Sequence, residues 1–426
     1  MKIHDLITDS DTLAELCERL AKSDFVCVDT EFMRENTFWP ELCLVQLGNS
    51  EEAAAVDPLA DGIDLTPMWN LMTDNEDVLK IFHAGGQDVE IVYNFTGKTP
   101  HPIFDTQIAM MAISQSEQIG YANLVESWLG KTIDKGARFT DWSRRPLTDR
   151  QIEYAIGDVT DLAVIFPMIL KKLIKTGRGG WLNAEMEKLA DPANYQNDEG
   201  DAWKRIRSQG RNPQMLGRLK ALAAWREGEA KHKNLPRGRI MRDETLADVA
   251  SHPPRKQGDL AKVRGLSNAW KDNDIGKRLM KVLEDAEPLP KSEMPDKAKR
   301  GAPLGKEGAL VADLLKLLLK IRSREIDIAS RLLTKANEME ALAAGVRDLP
   351  ILKSWRYEVF GKDALDLVEG KLAFTVRGGK LHMTHVDDIQ QDMQDEKAGR
   401  AEAGPQDRIQ DRAETKAALA QAAAAE

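Results

Sequence analysis

"FVCVDTEF", Phe25–Phe32, runs from apolar residues into two acids that stand one residue apart. Val26 and Val28 are β-branched, and four apolar residues in succession suit a strand buried on both faces. Side chains alternate along a strand, so Asp29 and Glu31 project from the same face, about two residues of rise apart. Two like charges at the end of a core strand repel each other at a cost unless something positive lies between them.

Working outward from that strand, "LCLVQLG" and "EAAAVD" read as two more strands, with connections short enough for antiparallel neighbours. A helical stretch near "LTPMWNLM" precedes a strand, "VLKIF", and then "GGQDVEIVYNF" with Val89, Val92 and Tyr93 at helical spacing. Helices around 108–114 and 121–129 lead to "DRQIEYAIGDVTDLAVIFPMILKKLIK", where apolar positions keep a helical period over several turns. Antiparallel strands followed by strand–helix alternation predict an α/β fold, a mixed sheet layered with helices. "TGRGG" at 176–180 breaks the pattern, and beyond about residue 205 the chain reads as helix. The Pro- and Lys-rich stretch 286–305 reads as a linker, 306–374 as a second helical domain, and 375–426 as a low-complexity tail ending in "AETKAALAQAAAAE".

The chain has 426 residues, 42% hydrophobic and 30% charged, enough for two or three globular domains. The first residues, "MKIHDLITDS", contain no apolar signal stretch, and "LLKLLLKI" at Leu314–Ile321 is too short to span a membrane. Cys17, Cys27 and Cys43 form no CxxC pair and read as small core residues in a reduced, cytoplasmic setting. The net charge of −9 conceals an asymmetry: residues 1–200 carry 17 Lys and Arg against 34 Asp and Glu, and residues 201–285 carry 20 against 11. An acidic body beside a basic module suits a partner that is a polyanion.

More acids fall where they could converge. Asp88 lies in the first turn of the helix after "VLKIF", and Tyr154 and Asp158 stand four residues apart on one helix face. Asp29, Glu31, Asp88 and Asp158 would form an all-oxygen set suited to Mg²⁺ or Mn²⁺ rather than zinc. Two such ions about 4 Å apart would clamp an in-line phosphoryl displacement. A lone D-x-E is a weak signal, and Asp88 alone could be an ordinary first-turn carboxylate; the ordered combination carries the weight.

"VDTEF", "HAGGQDVEIV" and "YAIGDVTDL" resemble the three motifs of the DEDD 3′→5′ exonucleases, and Tyr154 four residues before Asp158 marks the DEDDy subgroup. "FTDWSRRPLTDRQIEYAIGDV" is similar to ribonuclease D, and "LAAWREGEAKHKNLPRGRIMRDETLADVA" resembles an HRDC domain. The resemblance implies a ribonuclease H-like exonuclease domain over residues 1–180 and an HRDC domain over 205–285, with 306–374 a second all-α HRDC-like domain. It implies an exoribonuclease that trims RNA with a free 3′ end, tRNA precursors among its substrates, and releases nucleoside 5′-monophosphates. A DNA exonuclease of the same class and a silent RNA-binding protein are the rivals. Asp29, Glu31 and Asp158 would hold the ion that carries the attacking water; Asp29 would bridge to a second ion, which Asp88 would support directly or through water, and Tyr154 would orient the water. No organic cofactor is expected, and a monomer is.

For substrate contacts, Trp142 would stack on a base, with Arg144 or Arg145 on a phosphate, and Phe32 would wedge against the terminal base. Arg237 and Arg239, beside Pro236, would add salt-sensitive attraction to RNA. The duller alternatives are a core Trp142 and ordinary surface charges.

Overall fold

The computed structural model describes residues 1–207, 212–294, 304–388 and 391. The chain divides into two compact units, Met1–Lys297 with Asp327–Leu332, and Ala298–Ile326 with Leu333–Glu426.

The first unit opens with β1 (Lys2–Ile3), α1 (Ser10–Leu20), β2 (Phe25–Met33), β3 (Glu41–Gly48), β4 (Glu52–Val56), α2 (Thr66–Thr73), β5 (Leu79–Phe82) and α3 (Gly86–Thr96). β6 (Ile103–Asp105), α4 (Thr106–Met111), α5 (Tyr121–Leu129) and the 28-residue α6 (Asp149–Thr176) follow. The strands lie in the order β1-β4-β3-β2-β5-β6. β2–β3 and β3–β4 are antiparallel, as their short connections predict; β1–β4, β2–β5 and β5–β6 are parallel.

Alternation along β2 divides the core in two. Val26 and Val28 join Leu13 and Leu16 of α1, Met68 and Met72 of α2, and Val89 and Val92 of α3. Cys27 faces the other way, onto Val159 and Leu162 of α6. Asp29 and Glu31 continue the Cys27 side of the strand, so the acids point toward α6. That helix begins at a capping box, where Thr148 and Gln151 satisfy each other's backbone N–H groups, and ends at Gly177 with φ 67°. Its start, and hence the phase of Tyr154 and Asp158, is set by residues a turn away.

The same unit contains α7 (Asn183–Ala190), α8 (Pro213–Lys233), α9 (Arg237–Ile240), α10 (Asp243–Ser251) and α11 (Asp274–Glu284). α8, α10 and α11 share a core with Leu216, Leu219, Leu246, Trp270 and Leu279. Residues 286–289 belong to this module rather than to a linker. The Leu289 N–H donates to Pro213 O at 2.8 Å, and a Cβ at Gly217 would stand 1.8 Å from Glu287 O, so the segment lies against α8. Residues 295–303 of the expected linker lie outside the described residues.

In the second unit, α12 (Lys306–Glu325) carries Arg322, which donates to Asp363 at 2.7 Å and to Glu325 at 2.6 Å. The expectation of helix to residue 374 followed by a tail is corrected by a hairpin of β7 (Leu372–Arg377) and β8 (Lys380–His385). Gly378 and Gly379, at φ 56° and 74°, supply the two-residue turn whose twist suits such a hairpin. Of the expected tail, residues 389–390 and 392–426 lie outside the described residues. Among the described residues no helix is long and apolar enough to cross a membrane. All three cysteines are free thiols and buried.

Candidate active site

Three elements bring the acids together. β2 supplies Asp29 and Glu31 just before its register on β3 shifts between Glu31 and Phe32. α6 supplies Tyr154 and Asp158, and α3 supplies Asp88 from its first turn. Asp29, Glu31 and Asp158 each offer an oxygen, and the three oxygens lie within 4.8 Å of one another. Asp88 stands on the α3 side, buried, and accepts a hydrogen bond from the hydroxyl of Thr30. Thr30, between the two β2 acids, thus links the fourth carboxylate to the other three.

The turn into α3 is held by two features. Asp105 at the end of β6 accepts from the Gly85 N–H at 2.8 Å, and from Gln107 N and Ile108 N at 2.7 and 3.1 Å. One buried carboxylate therefore caps α4 and fixes the entry to α3. Gly85 itself cannot carry a side chain, since a Cβ would come within 2.5 Å of Phe82 Cβ. On the other side, Tyr121 of α5 donates its hydroxyl to the backbone oxygens of Asp158 and Gly157, at 2.5 and 3.1 Å, and anchors the middle of α6.

The electrostatics are those of crowded, poorly compensated negative charge. Asp29 is pushed well above the ordinary carboxylate range, first by burial and then by the charges of Asp158, Asp88 and Glu31. Glu31 is pushed up to about 9 by burial and by Asp158 and Asp88, with Arg138 opposing. Asp158 rises to about 7 through burial and Asp161, although the Tyr154 hydroxyl donates to it and favours its ionised form. Asp88 rises to about 6 through burial, against the Thr30 hydrogen bond. Tyr154 is itself pushed upward by burial and by Asp158, Glu31 and Asp29, so it keeps its proton.

These acids floor a cleft of about 530 Å³ whose walls include Phe32, Gln87, Tyr121, Asn123, Arg138 and Tyr154. A recessed all-oxygen cluster, short of protein cations and open to such a cleft, fits a hard divalent ion: binding one would relieve the repulsion.

The expected substrate contacts fare differently. Phe32 lines the cleft. Trp142 does not: it is buried, packed with Leu44, Ala155 and Ile156, its ring centroid 6.3 Å from that of Tyr154. A ring so enclosed has no face to offer a base. Arg145, though exposed, is occupied: it is forked onto the Asp57 carboxylate at 2.6 Å by both Nε and Nη2 and bonded to the carbonyls of Cys43 and Trp142. It staples the loop before α6 to the sheet. Arg144 is exposed but outside the cleft lining.

Arg237 is a structural residue as well. It forks onto Glu227, whose side chain is fully buried, at 2.6 and 2.7 Å, and its guanidinium lies 4.5 Å over the Phe38 ring. Asn234 accepts from Phe38 N and Trp39 N at 3.1 and 3.2 Å. α8 and α9 are thereby fastened to the loop that follows β2. Arg239 is exposed.

One cleft residue carries no motif in the sequence: Arg138, a cation that lines the cleft and lies over the exposed ring of Phe139 at 5.4 Å. "ARF" just before "FTDW" was the available signal, an arginine beside an aromatic in a loop leading to α6.

The family model described as 3'-5' exonuclease matches residues 5–174, and the HRDC domain model matches 215–283. The chain is 66% identical over 385 residues to the ribonuclease D of Sphingobium indicum, covering 90% of this chain and 99% of the relative. It is 58% identical over 388 residues to that of Zymomonas mobilis, covering 91% of this chain and all of the relative. The solved structure of Escherichia coli RNase D, described as an exoribonuclease involved in structured RNA processing, matches with a TM-score of 0.69. The match is 30% identical and covers 87% of this chain and 99% of that one.

Proposed function

Given that the chain belongs to the ribonuclease D family and is a 3′→5′ exoribonuclease, we propose that its site is a divalent-cation centre hydrolysing the terminal phosphodiester of RNA. The observation that carries this is the trio Asp29, Glu31 and Asp158, with oxygens within 4.8 Å of one another at the floor of an open cleft. These three would hold the cations, Mg²⁺ or Mn²⁺, with Asp88, held by the Thr30 hydroxyl, supporting the second ion directly or through water. Bound there, a pair of divalent ions supplies an activated water and stabilisation of the leaving 3′ oxygen.

The chain's own residues do the rest. Tyr154, kept protonated, orients the attacking water by hydrogen bonding and does not act as a base. Arg138 meets a phosphate of the entering strand, and Phe32 packs against the terminal base. Because the 3′ oxygen is the leaving group, the phosphate stays on the released terminal residue, and the product is a nucleoside 5′-monophosphate, removed one at a time. We take tRNA precursors as substrates, a monomer as the working form and the reduced cytoplasm as the setting. The exposed basic residues of α8–α11, Arg239 included, attract the body of the RNA.

The test is Asp29→Asn or Asp158→Asn in the full chain, assayed on an RNA oligonucleotide with a free 3′ end. Hydrolysis should fall by at least about a thousandfold, while RNA binding stays within a few fold. Hydrolysis at the wild-type rate in saturating Mg²⁺ would overturn the mechanism. A matched DNA oligonucleotide degraded faster than the RNA would overturn the substrate.

A further inference from the structure

The middle of β3 holds a polar side chain that the chemistry above leaves unused. Gln46 is fully buried, and neither its amide nitrogen nor its amide oxygen has a hydrogen-bond partner. It pairs with Asp29 on β2 and with Ala55 on β4, so it sits in the interior of the sheet. Directly opposed residues of an antiparallel pair share a face, which puts the Gln46 side chain beside that of Asp29.

On that face the neighbours along β3 are Leu44 and Gly48. Leu44 packs with Ala155 and Ile156 of α6, and Val159 lies 3.2 Å from where a Gly48 Cβ would stand. α6 therefore lies over the strip of sheet that holds Gln46. A buried amide in such a place is costly unless it is bonded, and leucine or methionine would fill the same space without that cost. Cβ atoms of opposed residues stand about 5 Å apart, and the glutamine amide reaches one methylene farther than the aspartate carboxylate. The register leaves the Gln46 amide one side-chain rotation from the Asp29 carboxylate, within the reach that the extra methylene would give it. Asp29 takes a hydrogen bond from the Thr30 N–H, and a carboxylate has capacity for more.

We propose that Gln46 is a positioning residue for the cation centre: its Nε2–H donates to Asp29 and fixes that carboxylate in the rotation that the cations need. This rests on the cation reading of the site given above. Groups that orient a metal-binding side chain from behind commonly change metal affinity by ten- to a hundredfold.

The experiment is a calorimetric titration of the full chain with Mn²⁺, for wild type, Gln46→Met, Gln46→Leu and Asp29→Asn, with unfolding temperatures measured in EDTA. Gln46→Met and Gln46→Leu should bind Mn²⁺ at least about tenfold more weakly, while their cation-free unfolding temperatures equal or exceed the wild type's. Asp29→Asn should lose binding. Wild-type affinity in both Gln46 variants, alongside loss in Asp29→Asn, would overturn the role of Gln46 and leave the cation centre standing. A fall in cation-free stability matching the affinity loss would make the amide a requirement of the fold and overturn the proposal too. Absence of Mn²⁺ binding by the wild type would overturn the cation centre and this proposal together.

Discussion

Replacing Asp158 by asparagine should stop hydrolysis and yet make the cation-free protein harder to unfold. Asp158 is 8% exposed, and its carboxyl is pushed from 3.8 up to about 7, by burial first and then by Asp161. Holding the proton that much more tightly in the folded state corresponds to on the order of 4 kcal/mol. The sign follows from linkage: the folded protein holds this proton more tightly than the unfolded chain does. The penalty is therefore absent below about pH 4, grows between about pH 4 and 7, and is complete above about pH 7. Asparagine keeps the size and can still accept from Tyr154, but it carries no charge. Its amide needs partners of its own, which takes back part of the gain, so roughly 2 kcal/mol is expected at about pH 8. For a unit of this size that is a rise of roughly 3 °C in unfolding temperature. Differential scanning calorimetry in EDTA at about pH 8 and about pH 5 reads it directly, with the difference shrinking toward zero at the lower pH. Saturating Mg²⁺ should stabilise the wild type and leave the variant where it was. A variant less stable than wild type in EDTA at about pH 8 would mean that the fold itself satisfies the Asp158 carboxylate and that no such penalty exists.

Three other outcomes follow from the contacts. Arg145→Ala should cost roughly 3 kcal/mol of stability by stranding the buried Asp57, seen in urea unfolding, with KM for RNA unchanged in the folded fraction. Arg138→Ala should do the reverse, raising KM for a short single strand about tenfold, or ~1.4 kcal/mol, with unfolding unmoved. Arg237→Ala should destabilise the helical module by roughly 3 kcal/mol, because Glu227 would keep only Arg205 at 3.2 Å; a urea titration at neutral pH that shows no change would rule this out.

What could be seen in the sequence was whatever is settled within one element. Asp29 and Glu31 share a face because a strand alternates, and Tyr154 and Asp158 do because a helix turns every 3.6 residues. The order of the motifs then supplied their meeting point. Hidden were the residues whose direction depends on a distant partner. Arg145 turns inward because Asp57 lies buried 88 positions earlier, and Arg237 because Glu227 and Phe38 receive it. An arginine in a loop looks the same in sequence whether it meets a phosphate or a buried carboxylate. β6 leaves no mark in the sequence because three residues show no period, although Asp105 at its end ties α3 to α4. The β7–β8 hairpin had a legible turn in Gly378–Gly379, but the helical bias of what precedes it masked the alternation.

Soaking crystals of the wild type in Mn²⁺ and collecting anomalous diffraction would locate the cations themselves. Two anomalous peaks are expected, ligated by oxygens of Asp29, Glu31 and Asp158, with Asp88 beside them. A map with no peak at those oxygens, or with manganese bound only elsewhere on the chain, would contradict a cation centre at these acids.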